Sequence, residues 1–539
     1  LLPFEVTIGC TGGSCTAAPK LLAQFFDSHM VLARSGAQIW GDAAAPGDAV
    51  TVTVAGAGVP FVGKATASST GSWAVSLGPQ PAATGAIVTV RTASGGKQTL
   101  TDVAFGDVYL CSGQSNMEFS VNLAFNASAE IADSARYPGL RFFTGAEVGA
   151  AAPATKLPDA QSKFANQTMI GPYAESSWAV SGPAAFVPAG GPTFTWPSAA
   201  CYFFGRDVYA GLGGKVPIGL VASDWGGEPI QPFMSADALA DKTCGGTNPG
   251  AAAAAAAAVP APVATPRVKV GDGDGSGTIW NGMIAPLAKM RFAGVVWYQG
   301  ESNAPDGHDY NCLFPAMIAD WRKKFEAPAM PFYWVVLAPC YGHHECRPFV
   351  TTRAAQLPGS AAMTLPSTAY AVAVDLGDPD SPASSVHSRR KQEVGRRLAL
   401  QALRMHYNET VTSTGPVFKS STVSGTTVTV AYAPGTADGL HTGATGACNE
   451  TGSKLCCNGG VSPFSVETAK GGWAPAKFTI SGSTAVLEAP AGATPTGGVQ
   501  FGWQQAPECM LYNGAGGADD HAGIVGTPFC WNGTALCPV

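Results

Sequence analysis

The chain is short of charge: Asp, Glu, Lys and Arg make up 13% of its 539 residues and leave a formal net charge of −6. It has no cluster of Lys and Arg of the kind that tracks a phosphate backbone, which argues against nucleic acid as a partner. It also lacks any run of about 18 strongly apolar residues, so no segment reads as a membrane span. The longest featureless stretch, the alanines at 251–258, is too short for one. None of the 14 cysteines stands in a C-x-x-C pair, and that absence favours disulfides over a zinc site.

What is present points to a loop-rich globular protein. Gly (67) and Pro (41) are plentiful, and 46% hydrophobic residues suffice for large cores. The length predicts two or three domains. Five N-x-[ST] sequons, at Asn126, Asn166, Asn408, Asn449 and Asn532, join the cysteines in predicting a secreted, luminal (lysosome-like) or cell-surface glycoprotein. The opening "LLPFEVTIGC", without Met or a charged leader, suits a mature chain whose signal peptide has been removed. Cys111 fits a disulfide or a buried free thiol equally well.

The pattern of apolar residues changes along the chain. After an N-terminal segment (1–26), short alternating runs such as "AVTVTVAG" (49–56), "GSWAVSLG" (71–78) and "AIVTVRTA" (86–93) predict a β-sandwich-like domain over 27–105. From 106 to 410 the runs are continuous instead: "DVYLC" (107–111), "PIGLVAS" (217–223), "AGVVWYQ" (293–299), "FYWVVLA" (332–338) and "YAVAVDL" (370–376). Continuity predicts a parallel sheet covered on both faces by helices, an α/β fold with its chemistry at the carboxyl ends of the strands. One helix follows His387, with Val394, Leu398 and Ala402 in line and Arg and Lys between them. A low-complexity insertion around 245–278 interrupts the domain. Its "GDGDGSGT" lacks the Glu an EF-hand needs and reads as a solvated turn. From 411 to 539 strand signals return as a C-terminal β-rich region.

Four segments carry the chemistry. "CSGQSNM" (111–117) ends a predicted strand with a serine on a sharp turn. It is not the G-x-S-x-G elbow of α/β-hydrolases, because Met117 takes the last position. Alone it reads as readily as a helix cap, with Ser115 or Asn116 as N-cap. "ASDWGGEPIQPF" (222–233) offers Gly226 and Gly227, "VVWYQGESNA" (295–304) offers Gln299, Glu301 and Asn303, and "VDLGDPDSPASSVHSRRK" (374–391) delivers His387. A hydroxyl, a histidine and amide donors that all follow strands of one sheet are what acyl transfer requires. No metal is required: "HHEC" (343–346) reads as surface polar residues.

These blocks, with "HMVLARSGAQIWGDAAAPGDAVTVTV" (29–54), "WNGMIAPL" (280–287) and "YNCLFPAMIADWR" (310–322), resemble the sialate O-acetylesterase family within the SGNH hydrolases. The resemblance runs from about His29 to His406 and weakly onward. It implies an SGNH-hydrolase-like sheet and a serine esterase that acts, without cofactor, on acetylated glycans. Similar serine blocks occur in carbohydrate esterases acting on xylan. By the resemblance Ser115 is the nucleophile and His387 the base. The Ser115 amide, Gly226 or Gly227, and the side chains of Gln299 and Asn303 supply the oxyanion site. Ser384 stands where many SGNH enzymes have Asp, and Ser388 where the family has Pro. The orienter of His387 is then a backbone carbonyl, Asp375, Asp378, Asp380 or Glu301. Glu301 is also a candidate catalytic residue, because related xylan esterases use a Glu from this block. Its alternative role is a structural carboxylate bonded to nearby amides.

Overall fold

The computed structural model describes residues 8–11, 14–17, 20–157, 177–186, 194, 197–240, 244, 277–304, 307–341, 346, 348–445, 462–514 and 523–537. The alanine tract, the "GDGDGS" turn, Asn166, Asn449, His343 and His344 lie outside them.

Near the amino end, strands β1 (Val31–Ala33), β2 (Ala49–Ala55), β3 (Phe61–Thr66) and β4 (Ala83–Thr92) form around the alternating runs. β2 pairs antiparallel with β3 and β4, and its Val50, Val52 and Val54 all point into the core. A second pair, Gln38–Gly41 with Trp73–Ser76, adds another layer. β4 then pairs antiparallel with β5 (Lys97–Gly113), the longest strand described. The boundary expected between 105 and 106 falls inside this strand. Its first six residues alternate between exposed and more covered positions, while Val103 to Gly113 are buried without interruption. One strand thus passes from a half-solvated antiparallel sheet into a doubly covered parallel one.

That parallel sheet has the order β6 (Leu140–Thr144), β7 (Ile218–Asp224), β5, β8 (Gly294–Tyr298), β9 (Phe332–Val336), β10 (Thr368–Val372). All five pairings are parallel, and a short strand, Ala179–Val180, adds antiparallel to β6. β7, β8 and β9 are buried at every position, as the continuous apolar runs require. The order reverses around β5, flanked by β7 and β8. This is the crevice where doubly wound sheets bind ligands. Helices α2 (Ala199–Gly211) and α4 (Lys391–Met405) cover one face and α3 (Gly307–Lys324) the other. α1 (Ser115–Glu118) is a single turn at the carboxyl end of β5.

Val394, Leu398 and Ala402 of α4 are buried as expected, but the cations of the helix do not all face water. Lys391 and Arg397 are buried as well. Arg397 survives burial because Asp375 meets it with two bonds of 2.7 Å and Glu393 with a third, also 2.7 Å. Tyr512, from the C-terminal strands, donates to the same Asp375 at 3.0 Å. Two four-stranded antiparallel sheets make up most of that β-rich region, and Arg353 fastens it to the α/β core through the carbonyls of Gln504 and Gln505. Cys111 is not a free thiol: it joins Cys201, tying β5 to α2. Cys244–Cys312, Cys340–Cys346 and Cys530–Cys537 are also bonded. Among the described residues no helix is long and apolar enough to cross a membrane.

Candidate active site

From Val103 to Asn122 every residue is buried except Ser115. The chain exposes this serine through a turn that only glycine permits. Gly113 adopts φ 143°, and a Cβ there would lie 2.1 Å from the Tyr298 carbonyl oxygen. Gln114, rather than Ser115 or Asn116, is the N-cap of α1. Its side-chain oxygen accepts from the amides of Gly300 (3.3 Å) and Ser302 (3.1 Å), so the turn after β5 fixes the turn after β8.

His387 arrives from the loop after β10. Its Nε2 lies 2.8 Å from Ser115 Oγ, and its Nδ1 lies 2.5 Å from the Ala383 carbonyl oxygen. A carbonyl can only accept, so Nδ1 carries the proton and Nε2 offers its lone pair to the serine hydroxyl. Of the orienters open from the sequence, the backbone carbonyl is the one that meets the ring. Asp375 is engaged with Arg397, and Asp378 binds the Arg389 side chain at 2.6 and 2.7 Å. Asp380 is exposed. The ring of Phe194 covers the imidazole edge-on, with centroids 4.9 Å apart.

Glu301 sits beneath the serine and does not orient the histidine ring directly. Its Oε1 accepts from Asn116 Nδ2 at 2.6 Å, while Oε2 is buried without a hydrogen-bond partner among the described residues. Burial raises its pKa, against the hydrogen bond from Asn116 and the charge of Lys391. Asn116 also donates to the Val386 carbonyl at 2.9 Å and accepts from Lys391 at 2.8 Å.

The residues expected to bind an oxyanion divide. Gly226 lies against the nucleophile: a Cβ there would stand 3.3 Å from Ser115 Cβ and 2.5 Å from Glu118 Oε2. Gly227 is exposed at φ 82° and accepts from Ser302 Oγ at 2.9 Å. Gln299 cannot serve as the donor that the resemblance implies. It is fully buried, and its amide donates to Glu228 O (3.3 Å) and Asn303 Oδ1 (2.7 Å), which uses both hydrogens. Asn303 accepts from the Ile230 amide at 2.8 Å and donates one hydrogen to Gln231 Oε1 at 3.2 Å, leaving the other without a partner among the described residues.

A sialate O-acetylesterase of Rattus norvegicus is 36% identical to the chain over 434 residues, covering 74% of this chain and 76% of the relative. The chain belongs to the sialate O-acetylesterase family. It is a carboxylic ester hydrolase. The family model for carbohydrate esterases of the sialic acid-specific acetylesterase type matches residues 272–404. The sialate O-acetylesterase of Homo sapiens is 34% identical over 418 residues, 73% of each chain. A crystal structure of a carbohydrate acetylesterase from Xanthomonas citri is similar over 95% of this chain and 99% of its own, with TM-score 0.71 and 28% identity.

Three residues of this esterase hold the site together without a role that their motifs announce: Gln114, Asn116 as a bridge, and Lys391. The first two stand in the "GQSN" motif on either side of Ser115, where an amide at a buried strand end must find partners. Lys391 gives no such signal, since a lysine at the start of an amphipathic helix normally faces water. Among the described residues no cluster of His, Cys, Asp and Glu could hold a metal ion. Asn126, Asn408 and Asn532 are exposed.

Proposed function

We propose that the protein is a serine esterase that removes O-acetyl groups from sialic acid or a related glycan through an acyl-enzyme. The observation that carries this reading is the 2.8 Å contact between Ser115 Oγ and His387 Nε2, with Nδ1 bound to the Ala383 carbonyl. In this mechanism Ser115 attacks the acetyl carbonyl and passes its proton to Nε2. The amides of Ser115 and Gly226, with the remaining Asn303 hydrogen, face the oxyanion of the tetrahedral intermediate. The intermediate collapses to acetyl-Ser115, and His387 returns the proton to the departing sugar oxygen. Water, deprotonated by the same nitrogen, then attacks the acetyl group and releases acetate and free Ser115. Glu301 supports this centre from below through Asn116.

The test is Ser115→Ala with a chromogenic acetate ester. Wild-type turnover by the variant would rule the mechanism out. A folded wild-type chain that resists a fluorophosphonate probe would favour a non-catalytic glycan-binding or structural glycoprotein.

A carbohydrate other than sialic acid, such as acetylated xylan, is the second reading, since the similar protein of Xanthomonas citri is a carbohydrate acetylesterase without a stated sugar. Acetate release from 9-O-acetyl sialic acid compared with acetylated xylan decides between them. The exposed Asn126, Asn408 and Asn532 and the disulfides support a secreted, luminal or cell-surface glycoprotein.

A further inference from the structure

Asn116 and Lys391 are buried, and both grip the backbone on either side of His387. Asn116 Nδ2 donates to the carbonyl of Val386, the residue before the histidine, at 2.9 Å. Lys391 Nζ donates to the carbonyl of Ser388, the residue after it, at 2.6 Å. The two side chains are bonded to each other, Nζ to Oδ1, at 2.8 Å. Asn116 is 1% exposed and Lys391 0%. Both polar atoms of the Asn116 side chain are therefore committed, Oδ1 to Lys391 and Nδ2 to Val386 and Glu301 together.

A buried ammonium group is expensive, and a residue needed only to fill space would be apolar. Here burial lowers the lysine pKa to about 7, against the charges of Glu301 and Asp378. The rings of Phe119 and Tyr298 lie under its Nζ at 4.6 and 5.4 Å and cushion the cation. The arrangement holds two peptide planes: that of Val386 and His387, which ends at the histidine Cα, and that of Ser388 and Arg389, one peptide beyond it. Asn116 is also covalently next to Ser115, so the grip refers the histidine backbone to the turn that carries the nucleophile.

We infer that Asn116 and Lys391 are a pair of positioning residues that hold His387 in register with Ser115 by clamping the carbonyls of Val386 and Ser388. The inference rests on the Ser115–His387 reading. It assigns the pair no contact with substrate, so their effect passes through the histidine alone.

The experiment is a set of mutant cycles in the full chain. Asn116→Ala and Lys391→Met are made singly, together, and each in a His387→Ala background. Lys391→Met keeps the hydrocarbon stem and tests the clamp if Asn116→Ala fails to fold. Turnover of 4-nitrophenyl acetate, fluorophosphonate labelling of Ser115 and thermal melting are measured. Each single variant is expected to lose about 10- to 100-fold in kcat and labelling rate, with KM within about threefold of wild type. The double variant should fall within about threefold of the worse single, and in the His387→Ala background neither change should alter labelling by more than about threefold. Three results overturn the inference: single variants that keep wild-type kcat, losses of equal size in both backgrounds, or failure of both single variants to fold. Labelling of Ser115 in the wild type separates these failures from failure of the dyad itself. Without that labelling the mechanism is wrong, and the inference falls with it.

Discussion

Asn116, one residue after Ser115, donates to the carbonyl of Val386, one residue before His387, at 2.9 Å. The two catalytic candidates come from chain positions 272 residues apart, yet a single side-chain amide spans the backbone beside them. The loop around His387 also holds its shape through contacts of its own.

Ser384 contributes the first of these. Its φ is 85°, a conformation that costs a β-branched residue about 1–2 kcal/mol, and its carbonyl accepts from the His387 amide at 2.9 Å. Ser384→Gly is expected to keep kcat within about threefold, whereas Ser384→Val should lose about tenfold or more as the Ala383 carbonyl turns away from Nδ1. Steady-state kinetics on an acetate ester compare the two. Equal activity in both variants would show that the turn does not set the ring.

Gly226 and Gly227 should respond differently to alanine. A Cβ at Gly226 meets Glu118 Oε2 and Ser115 Cβ, so Gly226→Ala should lower kcat by about 10²–10³ through displacement of its amide. At Gly227 no atom lies within 4 Å of the added Cβ, but φ is 82°. Gly227→Ala should therefore cost about 1–2 kcal/mol of stability and leave kcat nearly unchanged. Urea unfolding and kcat, measured on both variants, separate the two effects.

Glu301 is held by Asn116, and burial raises its pKa above the ordinary carboxylate value. Gln keeps an acceptor for Asn116 without the charge. Glu301→Gln should retain kcat within about threefold, and Glu301→Ala should lose about 10- to 100-fold by releasing Asn116. A collapse of kcat in Glu301→Gln would mean that the charge itself takes part.

Lys391 predicts a pH dependence of stability. Its folded pKa is about 7, below the ordinary value of 10.5. Between those values the unfolded chain binds a proton that the folded chain does not, so this group makes stability rise with pH. The penalty for burying the charge is full below about pH 7 and fades toward pH 10.5. Urea midpoints of wild type relative to Lys391→Met should therefore improve between pH 7 and pH 9.5, and a flat difference would refute the shift.

The Cys111–Cys201 bond closes a sequence separation of 90 residues beneath the nucleophile. Replacing both cysteines by alanine should lower unfolding free energy by roughly 2–4 kcal/mol, read by denaturant titration. No loss would indicate that the covered sheet alone holds β5 to α2.

The parallel sheet and the four polar blocks were legible because continuous apolar runs and abrupt polar ends result directly from burial on two faces. The Ser115–His387 contact was legible in the order of those blocks. The Ala383 carbonyl was not, since every residue carries a carbonyl and the side-chain sequence cannot say which one turns inward. The resemblance implies Gln299 as a donor, and its sequence position says nothing of what its amide already binds. Only packing reveals that Glu228 and Asn303 consume it. Lys391 was hidden for a similar reason: helical periodicity gives the face a residue is on, while the depth of that face depends on Phe119 and Tyr298 from other elements. The pairing of Cys111 with Cys201 is likewise a matter of three-dimensional proximity.

The strand Lys97–Gly113 behaves as a single beam anchored in two walls. Its outer half is clasped by β4, its inner half by β7 and β8, and Ser115 hangs from the tip. Trimming the protein back to residue 106 would saw through that beam and free the end opposite the nucleophile. The amino-terminal sheet is thus a foundation for the hydrolytic centre, and a minimal catalytic fragment has to begin upstream of it.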